Sequence, residues 1–215
     1  SDYHNIINLI MGDYANVDLV KLHMNLLKFD LPRTSFSSLM LDNIGAPGWV
    51  QDIISGVFKF EMGAHFKAGI TVGYDLGGIL NFVNTLDPER LLDGVFIDST
   101  KGSLLSAGID VLLELNLGIA GLKTGGGVSI DIGFNDPNND GKLRIPELLA
   151  VLEAAADHPG DALGYIFEGE FNINFYLKLW AGIVIDFGLF EIDLTWDTTV
   201  FDFNESINFG GLSLP

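Results

Sequence analysis

Apolar and polar residues alternate along an unusually long stretch of this chain, residues 57–74. The even positions from Phe58 to Tyr74 are all apolar, while the odd positions include Lys59, Glu61 and Lys67. An alternation of period two places the apolar side chains on one face of a strand. Because most strands have only about 5–6 residues, the pattern predicts an exceptionally long antiparallel strand with one exposed face.

The same alternation returns on both sides of the segment KTGGG. Residues 109–119 precede this segment and residues 128–134 follow it. Gly125 to Gly127 offer the backbone freedom that a turn requires. The two runs therefore predict a β-hairpin with its turn at these glycines.

Three further runs complete the predicted strands. Residues 167–187 alternate from Phe167 onward, and an earlier, less regular run covers residues 17–29. Near Gly188 the apolar register shifts by one residue and continues over residues 190–196. A shift of one residue exchanges the two faces of a strand, so a turn or bulge is predicted at Gly188.

Helical signals are short and lie between the strands. Together the elements predict one mainly β domain over residues 1–215, with long antiparallel strands in a sandwich or a barrel-like sheet and peripheral helices. The predicted helices are residues 49–55, 78–83 and 87–90, and a longer one over residues 146–156 that ends before a His-Pro-Gly breaker.

The composition narrows the classes of partner. Of 215 residues, 48% are hydrophobic and 19% charged, and 11 basic residues against 29 acidic ones give a net charge of −18. Such a surface repels nucleic acid and anionic membranes, whereas divalent cations are attracted to it. The chain has no cysteine, which excludes disulfides and thiolate sites. No apolar run is long enough for a transmembrane helix.

One motif carries specific chemistry, the segment DPNNDGKLRIPE from Asp136 to Glu147. It matches the spacing of an EF-hand calcium loop, in which hard oxygen ligands recur at fixed positions around a glycine turn. Leu143 occupies the position of an apolar anchor, and Arg144 stands where a water completes the coordination. The predicted calcium ligands are Asp136, Asn138, Asp140, the backbone carbonyl of Lys142, and Glu147 in a bidentate manner.

The surroundings of the loop differ from those of a calcium sensor. A strand precedes it and the predicted helix follows it, so that loop and helix occupy residues 136–156. There is only one such loop, so the paired-helix opening of sensors is not available. We therefore expect a structural ion that holds a strand-to-helix junction.

The loop and its flanks resemble a known kind of module. The segments LLDGVFIDST, ELNLGIAGLKTGGGVSIDIGFNDPNNDGKLRIPELL and FNINFYLKLWAGIVIDFGLFEIDLTW, within Leu91 to Trp196, are similar to a calcium-binding module of very large bacterial surface proteins. Those chains are adhesin-like or matrix proteins. The resemblance implies an extracellular, cell-surface location, and it maps the calcium ligands onto the residues named above.

Other candidate sites are weaker. The four histidines (His4, His23, His65 and His158) lack the spacing of a zinc site, and Lys123 to Gly127 lack that of a phosphate loop. No catalytic set can be assigned from spacing, so the chain is not expected to be an enzyme. The remaining candidates are an acidic stripe (Glu191, Asp193, Asp197 and Asp202), a second weak cation site at most, and a glycosylation pattern at Asn204 to Ser206.

The sequence leaves three functions open. The first is a non-enzymatic, calcium-stabilised module of an extracellular adhesin, filament or matrix that associates with itself or with neighbouring modules. The second is a carrier of lipid or another hydrophobic ligand, because Phe58, Phe60, Phe66, Phe171 and Phe175 share sheet faces. The third is a membrane β-barrel, since alternating strands are also its signature.

Overall fold

The strands of the protein are long and the helices short. The computed structural model describes residues 2–35, 43, 45, 47–186 and 191–214. The strands are β1 (Asp18–Ser35), β2 (Phe58–Asp75), β3 (Val95–Asp98), β4 (Leu105–Asn116), β5 (Ala120–Phe134), β6 (Lys142–Arg144), β7 (Phe167–Asp186) and β8 (Glu191–Gly210). The helices are α1 (Asp2–Met11), α2 (Gly48–Val57), α3 (Leu76–Thr85), α4 (Ile145–Asp157) and α5 (Ala162–Ile166), with 3-10 turns at Tyr14–Asn16 and Pro88–Gly94.

All eight strands belong to one antiparallel sheet. Six of them follow one another in the order β1-β2-β4-β5-β7-β8. The short strand β3 pairs with the end of β2 at Val72 to Tyr74, beyond the end of β4, and β6 pairs with β3. The predicted mainly β class with peripheral helices is confirmed, and a single sheet accounts for it.

One face of the six-stranded part is apolar, as the alternation predicted. Paired residues of an antiparallel ladder place their side chains on the same face. We call this the apolar face, and the opposite one the polar face. One row of paired residues crosses the whole apolar face: Phe29, Phe66, Ala107, Ile130, Phe171 and Ile207.

The sheet curls around its apolar face. In a flat sheet the first and sixth strands would lie about 24 Å apart, since neighbouring strands are about 4.8 Å apart. Leu26 of β1 and Phe209 of β8 nevertheless line the same apolar cavity of about 550 Å³. The two edge strands therefore approach each other at this end, and Leu163 of α5 lines the cavity with them.

The best-buried side chains lie at one end of the molecule, around β3, β6 and α4. Phe96, Leu143 and Val151 are almost completely buried there, together with the polar Asp75 and Ser99. Many large apolar side chains elsewhere are exposed, above all on β1 and β8. The end that carries the calcium motif is therefore the packed core, whereas most of the apolar face is not covered by the described residues.

The predicted turn at Gly125 to Gly127 is wrong. These glycines lie inside β5, which pairs with β4 and β7 along its whole length. A Cβ atom at Gly125 would stand 2.8 Å from Tyr176 Oη, and one at Gly126 would collide with the Asn174 carbonyl. The glycines serve close packing between strands. The hairpin turns instead at Leu117 to Ala120, where Gly118 has φ +88°.

The other predicted elements are confirmed, with different bounds. β1 and β8 are longer than expected, and the predicted turn at Gly188 lies outside the described residues. The helix predicted over residues 146–156 is α4. The short strands β3 and β6 and the helices α1 and α5 were not predicted. None of the described helices is long and apolar enough to cross a membrane.

The role of the β5 glycines can be tested with Gly126→Ala. The new methyl group must displace the β7 backbone, so we expect the free energy of unfolding to fall by about 1–3 kcal/mol in a urea titration. Gly160→Ala is the control, because a Cβ atom there meets no neighbour within 4 Å. An unchanged midpoint for Gly126→Ala would contradict the strand assignment.

Candidate metal centre

The calcium motif lies where it was predicted, between a strand and a helix. β5 ends at Phe134, the motif begins at Asp136, and α4 begins at Ile145. The short strand β6 forms inside the motif and fastens it to β3. Leu143, the predicted apolar anchor, is only 1% exposed. The sheet therefore holds the loop on one side, while the helix holds it on the other.

Hydrogen bonds to the loop backbone orient the side chains of Asp136 and Asn138. Asp136 Oδ2 accepts from the Gly141 amide at 2.7 Å and from the Ser99 hydroxyl at 3.1 Å. Asn138 Oδ1 accepts from the Asp140 amide at 2.9 Å. Gly141 has φ +83°, a conformation that disfavours other residues. The turn therefore needs glycine at this position.

The position of Lys142 fits a ligand that acts through its backbone. Its amide donates to Asp140 Oδ1 at 2.9 Å instead of to a neighbouring strand. Lys142 pairs with Asp98 of β3, and the next residues, Ser99 and Gly141, are joined by a backbone hydrogen bond. Hydrogen-bonded and non-hydrogen-bonded pairs alternate along an antiparallel ladder, so the pair of Lys142 with Asp98 is not hydrogen-bonded. The Lys142 carbonyl therefore points away from β3 and toward the loop.

Glu147 closes the loop from the first turn of α4. Its Oε2 accepts from the Arg144 amide at 2.8 Å, and its Oε1 accepts from the Asn138 side chain at 2.5 Å. Burial raises the pKa of the Glu147 carboxyl, and the nearby Asp140 and Asp136 carboxylates raise it further, against the effect of the Arg144 amide. These carboxylates therefore repel one another, and a cation between them would relieve the repulsion.

The donor set fits calcium, although its side chains have not converged on one point. Within the described ranges, no group of three or more His, Asp or Glu side chains is close enough to hold a metal ion. Asp140 Oδ2 is turned toward Arg144 at 2.5 Å, and Glu147 toward Asn138. An ion would require both contacts to open. Carboxylate, amide and carbonyl oxygens are the ligands that calcium prefers.

Arg144 and Lys142 join the loop to a buried carboxylate. Asp75 ends β2, is 0% exposed, and accepts from Arg144 Nη2 at 2.9 Å and from Lys142 Nζ at 3.0 Å. It also accepts from the Gly77 amide and thereby caps α3. Two basic residues of the loop thus meet one acidic residue of the sheet in a site from which water is largely excluded.

Lys142 has a second acidic partner at the start of β1. Its Nζ lies 2.7 Å from Asp18 Oδ1 and 4.6 Å from the centre of the Phe96 ring. Burial favours a higher pKa for Asp18, but hydrogen bonds and attraction from Lys142 and Lys21 outweigh it, so the pKa is lowered. The Lys142 side chain is therefore fully engaged outside the loop.

The sequence interpretation missed the residues that support the loop. Asp75 carried a signal, because an Asp before Leu-Gly-Gly at the end of an alternating run is a helix cap. Arg144 was interpreted only as a position that cannot bind calcium, whereas its side chain connects Asp140 with Asp75. Ser99 had no local signal, since its partner Asp136 is distant in the sequence.

Among the described side chains, the other candidate residues do not gather into a site. His65 is exposed on the polar face, and His23 bonds Thr71 and Asn25. The His158 ring bonds the Ala154 carbonyl of its own helix and lies against the Tyr165 ring of α5, and the side chain of His4 is outside the described residues. Lys123 lies within β5. The acidic stripe and Asn204 to Ser206 lie along β8, where Asp197 and Asp202 are exposed.

Comparisons with protein families, with curated proteins and with solved structures give no match. The resemblance to modules of bacterial surface proteins accordingly stays a prediction. A role for the protein has to be argued from the loop, its buried support and the surface of the sheet.

The buried support can be tested with Asp75→Asn. The substitution leaves Lys142 and Arg144 facing a neutral group in a buried site. Each keeps another acidic partner, Asp18 and Asp140 respectively, so we expect the free energy of unfolding to fall by about 1.5–3 kcal/mol. The measurement is a urea titration without calcium.

Asp30→Asn is the matched control, because Asp30 also has a basic partner, Lys28, but both side chains are more than half exposed. Its expected cost is below about 1 kcal/mol. Equal costs for the two variants would contradict the importance of burial.

Proposed function

We propose that the protein is a non-enzymatic, calcium-stabilised structural module of an extracellular surface, filament or matrix assembly. The observation that carries this proposal is the coupling of the calcium loop to the sheet through the buried Asp75. An ion bound between Asp136 and Glu147 would hold β6 and α4 in place. β6 in turn presents Lys142 and Arg144 to the sheet. Calcium would thus stabilise the whole fold.

The distribution of apolar residues supports an assembly. Contiguous exposed apolar surface marks sites of interaction in stable proteins. Val20 and Leu22 of β1 are at least 60% exposed, as are Leu194 and Trp196 of β8. A chain with so little of its apolar face covered gains stability when a neighbour covers it. The absence of cysteine and the charge of −18 also favour calcium as the stabilising agent.

The calcium role can be tested with Glu147→Gln, in which the bidentate carboxylate is lost. We expect calcium at about a hundred times its Kd to add about 2.7 kcal/mol to the stability of the wild-type protein. Glu147→Gln should lose most of this gain. The measurement is thermal unfolding in calcium and in excess EGTA.

Glu153→Gln provides the control, because Glu153 lies on the same helix with an exposed side chain. Its calcium-dependent gain should equal that of the wild type. A wild-type melt that is the same in calcium and in EGTA would remove calcium from the proposal.

The cavity on the apolar face favours a second candidate function, the binding of a hydrophobic ligand. Its volume of about 550 Å³ lies in the range of small-molecule sites. Its lining is apolar and includes Ala68, Ile132 and Phe167. Because the described residues of the lining include no charged side chain, the cavity would suit a neutral hydrocarbon better than a charged headgroup.

Ala68→Phe tests this second function by filling the cavity. We expect the neutral fluorescent probe diphenylhexatriene to bind the wild type and to bind Ala68→Phe at least about tenfold more weakly. Ala156→Phe is the control, since Ala156 is exposed on α4. Equal probe binding by both variants would exclude the cavity as the binding site.

A further inference from the structure

The two edges of the six-stranded sheet, residues 18–34 of β1 and residues 191–210 of β8, are long and have no strand partner on their outer sides among the described residues. β1 has 18 residues and β8 has 20. Natural proteins protect edges by shortening, bending or charging them, because an exposed edge invites another strand. The pairing of β1 with β2 shifts register at three places. The pairing of β7 with β8 shifts register at one place, near Val200, so the β8 edge is the more regular of the two.

The number of strands allows the sheet to continue from one copy to the next. The order β1-β2-β4-β5-β7-β8 alternates in direction, so β1 and β8 of one chain run in opposite directions. A second copy whose strands run in the same directions therefore presents its β1 antiparallel to β8. Antiparallel pairing is the more stable form. The apolar faces of the two copies then lie on the same side.

The charges of the two edges are complementary. β1 carries three basic and two acidic residues, whereas β8 carries five acidic and no basic ones. Without a shift, the rows of paired residues place Arg33, which contacts Asp110 on the polar face, beside Asn204 and diagonally across from Asp202. The side chains of Arg33 and Asp110 are 55% and 37% exposed, and such pairs exchange readily.

The apolar sides of the two edges also match. Phe29 of β1 is 55% exposed and Ile207 of β8 is 57% exposed. Both belong to the row of paired residues that crosses the apolar face. Placing β1 of a second copy beside β8 without a shift would bring these two side chains together and extend the row. The same contact would cover apolar surface on both edge strands.

We propose that β8 of one copy pairs with β1 of the next, so that the sheets of successive copies form one continuous sheet. This inference rests on the proposed function and names the partner and the contact of the assembly. The contact joins two different surfaces, so it leaves a free β1 at one end and a free β8 at the other. The product is an open-ended filament unless the rotation between copies closes it into a ring.

Two other pairings are less favourable. Pairing of β8 with β8 would place five acidic residues against five, and like charges on neighbouring strands are destabilising. Pairing of β1 with β8 within one chain would bring the two edges together where the apolar cavity lies. It would have to close this cavity, whose lining includes Leu163 and Gly164 as well as Leu26 and Phe209.

Cysteine cross-linking tests the contact, because the natural chain has no cysteine. Phe29→Cys and Ile207→Cys are prepared separately and treated with a short bis-maleimide in calcium, alone and as an equal mixture. We expect covalent dimers in the mixture that join one chain of each variant, and few in either variant alone. A mixture that yields no such dimers would contradict the proposal.

Dimers of Ile207→Cys with itself would overturn the proposal in favour of β8–β8 pairing. The calcium-dependent melt of the same variants reports separately on the proposed function. If calcium stabilises the protein but no dimers form, the edge contact is refuted and the calcium role stands. If dimers form but the melt is the same in calcium and in EGTA, the calcium role is refuted and the edge contact stands.

Charge reversal gives an independent measurement in the otherwise native chain. Arg33→Glu and Asp202→Lys should each raise the concentration at which light scattering detects assembly by about fivefold or more. An equal mixture of the two variants should assemble again, because opposite charges then face each other at every contact. If the mixture assembled no better than either variant alone, the pairing of β1 with β8 would be excluded.

Discussion

The carboxylate of Asp75 joins the end of β2 to the loop by ion pairs, beside the pairing of β3 with β6 that also holds the loop. It is 0% exposed and lies between the Nζ of Lys142 and the guanidinium of Arg144. A buried charge that loses its partner is strongly destabilising, although a complete pair contributes little. The acid comes from the end of β2, while both bases come from the loop. Sheet and loop therefore cannot separate without breaking these ion pairs. The conformation of the loop and the stability of the fold thus depend on each other.

The same carboxylate explains how the loop tolerates a basic residue at a position near the proposed ion. Arg144 would repel calcium, and it now holds one oxygen of Asp140. Asp75 offers Arg144 a second partner, so that the guanidinium can release Asp140 without becoming unpaired. Lys142 is drawn away from the loop in the same manner by Asp18 and Asp75, while its carbonyl stays turned toward the loop. The buried acid thus keeps two positive charges outside the coordination sphere.

Much of the fold could be predicted from the sequence because its elements are repetitive and local. The alternation from Phe58 to Tyr74 and the twelve-residue motif are readable without tertiary information, and strand and loop lie where they indicate. The glycines at 125–127 misled the prediction because glycine serves both turns and close packing. Only the ring of Tyr176, some fifty residues away, decides between the two. The partners of Asp75 were hidden for the same reason, since no local pattern specifies a contact with Lys142.

The salt-bridge network also reaches an edge of the sheet. Asp18 is the first residue of β1 and pairs in register with Asp75, the last residue of β2. Lys142 contacts both carboxylates, so an ion that orders the loop would also fix the start of the edge strand. β8 is linked to the loop through a neutral group, because Asn208 accepts a hydrogen bond from Lys101, two residues after the Ser99 that bonds Asp136. Calcium would therefore act most directly on β1, one of the two surfaces of the proposed contact. The availability of β1 for pairing, and with it the length of the assembly, would then depend on calcium.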